Sequence, residues 1–138
     1  MQSAGGGFMN QGALTEDLRR FILTSIASVP HLEALLLLRA APEQGWSSQA
    51  VAWRLYVGER VAHKLLDDLC TMGALEANDS GGEQRYGYRP RGRELAEIID
   101  RLAVAYAADL VGVTRLIHSR LDRQAQQFAD AFTWRKDV

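Results

Sequence analysis

Between residues 59 and 88 a helical apolar pattern is stopped by a glycine and followed, without a linker, by a strand, a turn and a second strand. No other feature narrows the fold as far. The helix is expected from about Glu59 to Met72, and Gly73 stands where a left-handed cap is needed. Leu75 begins a short strand, Asn78-Asp79-Ser80-Gly81-Gly82 is a turn signal, and residues 84–88 form the returning strand. On that strand Tyr86 and Tyr88 fall on one face, with Arg85 and Arg89 on the other.

Helices are expected on both sides of this unit. Thr15 can cap a first helix, with Glu16 and Asp17 near its positive end and Leu18, Phe21, Ile22, Ile26 and Val29 at helical spacing. Ser28 before Pro30 restarts the helical signal, and Leu32, Leu35, Leu36 and Leu38 mark a central buried helix. Residues 41–45 read as a loop. Trp46 reads as a core or strand-edge residue, and Ser47 caps a helix over 48–55. From Arg93 one long helix is expected, with the stripe Leu95, Ile99, Leu102, Tyr106, Leu110, Val113, Ile117 and Leu121. The tail beyond Gln124 adds Phe128, Phe132 and Trp134, and glycine-rich residues 1–13 read as a flexible lead-in.

A chain of 138 residues suits one domain with an appendage. Its net charge of −1 gives no global pull toward nucleic acid, so any such binding must come from a local basic face. Cys70 is the single cysteine and fits a reducing compartment. No charged-then-apolar signal segment opens the chain, and the apolar stretches at 32–38 and 102–113 are too short, or interrupted by Glu33 and Asp109, to span a bilayer. The expected location is the cytoplasm, away from membranes. Catalysis and metal binding are not expected. There is no phosphate-cradling glycine loop or nucleophile elbow, and His63, Cys70, His31 and His118 make no CxxC or HxxxH pair. No cofactor is implied.

The order helix, short strand, helix, turn, helix, hairpin resembles that of winged helix-turn-helix regulators of bacterial type. The segment AVAWRLYVGERVAHKLLDDLCTMGAL, residues 50–75, is similar to the family's core motif, with Ala52 and Ala62 as the small residues that let two helices cross. Further on, YGYRPRGREL, residues 86–95, resembles the wing-to-helix junction of the MarR and PadR kinds, with Gly92 and Leu95 in matching places. Two positions depart from the pattern: Tyr56 stands where the family places a glycine in its tight turn, and Gly58 stands where it often has a capping serine. The implied architecture is mainly α with a small β-hairpin wing. Residues 14–95 would form the winged domain with an extra N-terminal helix, and 96–138 a long C-terminal helix and aromatic tail.

The resemblance implies a transcriptional regulator whose second helix enters the major groove of double-stranded DNA. Glu59, Arg60, Val61, His63 and Lys64 would face base edges, and Arg85, Arg89 and Arg91 would anchor the wing. Residues 84–93 hold four arginines and no acid, a locally positive strip. Against this, Glu59, Asp67 and Asp68 outnumber Arg60 and Lys64 on the same helix, which weakens counterion release. An adaptor that binds another protein through the winged surface and tail is the competing reading. A homodimer is expected through Tyr106, Leu110, Val113, Ile117 and Leu121, with Phe128, Phe132 and Trp134 offering aromatics to the partner subunit or to a protein partner.

Overall fold

The computed structural model describes residues 14–136, without the side chains of Ser80, Leu121 and residues 132–136. The lead-in expected at 1–13 and the side chains of Leu121, Phe132 and Trp134 therefore lie outside the described residues. The elements run α1 (Glu16–Ser25), α2 (Val29–Arg39), α3 (Ser48–Leu55), α4 (Glu59–Met72), β1 (Leu75–Ser80), β2 (Glu83–Tyr88), α5 (Arg93–Ala108) and α6 (Leu110–Lys136).

Local chemistry sets most of these boundaries. Ser28 and Ser47 sit in extended backbone and accept from the His31 and Ala50 N–H groups at 3.3 and 3.1 Å, satisfying donors that α2 and α3 would otherwise leave open. Thr15 takes the cap position of α1 but makes no side-chain bond to the helix backbone. Its hydroxyl instead donates to Asp17 Oδ1 at 2.6 Å. Gly73, at φ 98°, closes α4 in the left-handed region.

The hairpin pairs Leu75 with Tyr88 through to Ser80 with Glu83. Its turn is narrower than the five-residue signal suggested. Only Gly81 and Gly82 lie between the strands, at φ 64° and 82°, the two successive left-handed residues that a two-residue turn matched to strand twist requires. Asn78 and Asp79 are thereby drawn into the ladder opposite Arg85 and Gln84. Trp46 adds a one-residue strand, exchanging two 2.8 Å backbone bonds with Tyr86, and is buried.

The single long helix expected after Arg93 is in fact two. Asp109 leaves helical geometry at φ −147° and ψ 71°, ending α5. Its carboxylate then accepts from Gly112 N–H at 3.0 Å and caps α6. A Cβ at residue 112 would run into that carboxylate, so a larger residue there would push the cap aside.

One apolar core is continuous from Leu18 to Ile117. It joins Leu18 and Ile22 of α1, Leu32, Leu35 and Leu38 of α2, Leu66 and Leu69 of α4, Ile99 and Leu102 of α5, and Val113 and Ile117 of α6. Burying each such side chain contributes about 1.5–3 kcal/mol. At the rim, Arg101 binds Asp17 at 2.8 Å and Arg39 binds Asp100 at 3.0 Å, tying α5 to α1 and α2. The Arg101 guanidinium, helped by the Thr15 hydroxyl, holds the Asp17 carboxyl well below the usual carboxylate range. Among the described residues no single helix is long and apolar enough to cross a membrane.

Candidate nucleic-acid interface

α4 presents two opposed faces. Ala62, Leu65, Leu66 and Leu69 point inward and are buried, as is Ala52 on α3, the helix packed against α4. Glu59, Arg60, Val61, His63 and Lys64 are all exposed, and no described residue covers them. The spacing by threes and fours divides the helix in this way.

The charged groups on the outward face are not equally available. Lys64 Nζ donates to Asp68 Oδ1 at 2.8 Å, which raises the lysine pKa and lowers that of the carboxylate. The other Asp68 oxygen accepts from His31 Nε2 at 2.8 Å, and His31 Nδ1 shares a 2.7 Å bond with the Ser28 hydroxyl. Asp68 thus braces α4 against the start of α2. Asp67 does the same on the other side: it takes the Tyr86 hydroxyl at 3.2 Å and His63 Nε2 at 3.2 Å. Burial, reinforced by the Asp67 charge, pushes the Tyr86 pKa up to about 12. His63 Nδ1 lies 3.3 Å from the same hydroxyl, so both ring nitrogens are turned to partners within the chain. Among the described residues Arg60 is the one α4 cation with no acid in ion-pair range.

The hairpin arginines are also matched by acids. Arg85 reaches Glu83 at 3.2 Å and the Gly45 carbonyl at 3.3 Å, while Arg89 meets Glu76 at 3.3 Å. The strip read as purely positive along the sequence therefore meets acids from β1 and from the start of β2. The turn itself is flanked by Asp79 and Glu83, with no arginine at its tip. The Arg89 and Arg91 backbone N–H groups bond Ala74 and Gly73 at 2.9 and 2.8 Å. This places both at the C-terminal end of α4, about 20 Å along the helix from Glu59 and Arg60. Glu59, Arg60 and Val61 form one cluster, whereas Arg91 belongs to the far end.

Two residues on this surface were not among the sequence candidates. Trp53 is 77% exposed and Tyr56 is 94% exposed. With Gln49, Ala52, Val57 and Glu59 they line an open crevice of about 370 Å³ between α3 and the first turn of α4. Tyr56 holds φ 58° and ψ 45°, the left-handed geometry the turn imposes, which costs a non-glycine residue roughly 1–2 kcal/mol. Trp53 was legible in principle. Val51, Ala52 and Leu55 occupy the inner side of α3, which leaves residue 53 facing out.

The expected dimer seam is divided. Val113 and Ile117 are buried in the chain's own core, beside α1, and so are not available to a partner. Leu110 and Phe128 are exposed at 54% and 74%, Val104 and Val111 join them on the surface, and Tyr106 is half-buried.

No family model matches the chain, and no curated protein matches its sequence. Solved structures do. The homodimeric winged helix-turn-helix DNA-binding domain of a possible ArsR-family transcriptional regulator from Mycobacterium bovis is similar over 80% of this chain and 91% of that one, at 20% identity and a TM-score of 0.51. The fold is a winged helix-turn-helix. MepR, a transcription regulator of the Staphylococcus aureus multidrug efflux pump MepA, is similar over 96% of this chain and 97% of its own, at 9% identity and a TM-score of 0.50. In its complex with DNA, MepR is similar over 89% and 94%, at 12% identity and a TM-score of 0.53. These neighbours are transcription regulators rather than enzymes, of ArsR and MepR type. At such identities the shared property is the winged architecture, with β1 and β2 as its wing and α3 and α4 as its helix-turn-helix.

Proposed function

We propose that this chain is a non-enzymatic, cytoplasmic transcriptional regulator, of the MarR or PadR kind, that binds double-stranded DNA as a homodimer. Residues 14–95 would read the duplex and 96–138 would pair the subunits. The observation that carries the reading is α4: its outward side is uncovered and opens with Arg60, in a fold that MepR also has in its complex with DNA. The early exposed residues of such a helix meet base edges. Arg60 suits a guanine, Val61 a thymine methyl and Glu59 a cytosine amino group, while Lys64 reaches a phosphate once it leaves Asp68. Arg85 and Arg89 serve the flanking backbone by exchanging Glu83 and Glu76 for phosphates. Exposed Leu110, Val111 and Phe128 supply apolar surface for a second copy.

Selection of duplexes from a random pool with the full chain tests the reading. A recovered duplex is expected to bind Arg60→Ala about tenfold or more weakly, because a good guanine contact contributes roughly 1–3 kcal/mol. Recovery of no duplex at low salt sinks it. The acid-flanked wing tip at Asp79 and Glu83 favours one second reading, an adaptor that binds a protein through the same surface.

A further inference from the structure

We infer that Trp53 and Tyr56 form an aromatic edge that packs on one deoxyribose–phosphate strand, beside the groove that α4 enters. This inference rests on the DNA-binding reading above.

Tyr56 supplies the first argument. It sits in strained left-handed backbone, and its ring, 94% exposed, gains almost no packing inside the folded chain. Glycine would meet the same turn without strain. A strained residue whose side chain is offered wholly to solvent points to a contact made outside the chain. Trp53 stands one helical turn before it and is also largely exposed, so two rings project from the same edge of α3.

The occupant follows from position and charge. The crevice these rings line is continuous with Glu59 and hence with the first turn of α4. Whatever α4 reads must lie against this edge. Three of the cations on the surface, Lys64, Arg85 and Arg89, are paired with Asp68, Glu83 and Glu76. Each must give up its acid before it meets a phosphate, so neutral contacts carry a larger share of the binding. Deoxyribose presents C–H faces that suit an indole, and both the indole N–H and the phenol O–H can donate to phosphate oxygens. The Glu59 carboxylate disfavours a phosphate at its own position, which leaves the strand to the two rings and to Gln49. The exposed apolar group for a second copy, Val104, Leu110 and Val111, belongs to α5 and α6 instead.

The test uses the full chain and a duplex recovered from the random pool, titrated by fluorescence anisotropy at several salt concentrations. Trp53→Ala is expected to weaken binding about tenfold with the slope of affinity against salt unchanged, since a neutral donor's hydrogen bond to a charged phosphate oxygen is worth about that factor. Arg60→Ala should weaken binding and relax the preference for the guanine it reads, whereas Arg85→Ala, at a phosphate, should make the slope shallower by about one. Tyr56→Gly should raise the melting temperature and yet weaken binding, a pair of opposite signs that a purely structural role would not produce. Wild-type affinity in both Trp53→Ala and Tyr56→Gly overturns the inference. A changed molecular mass in either variant also overturns it, by showing the edge to be a subunit contact. If Arg60→Ala alone weakens binding, the regulator reading stands and the aromatic edge falls. If the wild-type chain recovers no duplex, both fall.

Discussion

α4 is tied to α2, α3 and the hairpin, whereas residues 122–131 of α6 are exposed without exception. The first helix is fixed by core packing through Leu65, Leu66 and Leu69, by the Gly73 cap, by Asp68 to α2 and by Asp67 to the hairpin. The second extends past its last buried residues with local bonds such as Gln126 to Asp130 at 2.9 Å. The difference separates two kinds of surface helix. One has its orientation set from within and presents a fixed side to a partner. The other, an exposed run of about ten residues, is too short to be a stable helix alone in water and gains from being covered.

Three measurements test that contrast. Leu66→Ala removes an anchor from the fully buried side of α4 and should cost about 2–5 kcal/mol in denaturant unfolding. A loss below about 1 kcal/mol would mean that the core does not hold the helix. Tyr86→Phe deletes the hydroxyl shared by Asp67, His63 and Gln84 and should cost roughly 1–2 kcal/mol. An unchanged midpoint would reduce that brace to geometry without energy. Deleting residues 123–138 should leave the unfolding midpoint of dilute protein within about 0.5 kcal/mol of the intact chain, and should shift the mass in concentrated solution toward the monomer. A lowered midpoint in dilute solution would show the far half of α6 to be anchored on its own chain.

The sequence exposed what is local and hid what is distant. The caps at Ser28, Ser47 and Gly73 and the placing of Tyr86 and Tyr88 on one face follow from neighbours within a few positions, and could be read without coordinates. The hairpin turn was placed correctly but drawn too wide, because Asn78, Asp79 and Ser80 suit turns by composition while the ladder register claims them. The braces of α4 join residues far apart in the chain, 37 positions for His31 and Asp68, so no periodicity announces them. The same holds for the ion pair of Glu76 with Arg89, which helps turn an apparently positive strip into matched pairs. The break at Asp109 left a faint trace, an acid three residues ahead of a glycine within an otherwise apolar run.

That break has a geometric consequence. Asp109 terminates one helix and starts the next, and Gly112 lets the capping carboxylate sit against the new turn. The corner fixes the direction in which α6 leaves the winged domain. In a two-fold assembly built through α6, this angle would act as a caliper, setting how far apart the two copies of α4 stand and so which spacing of half-sites along a duplex they can grip together. Lengthening or reshaping residues 109–112 would retune that span without touching a residue that meets a base.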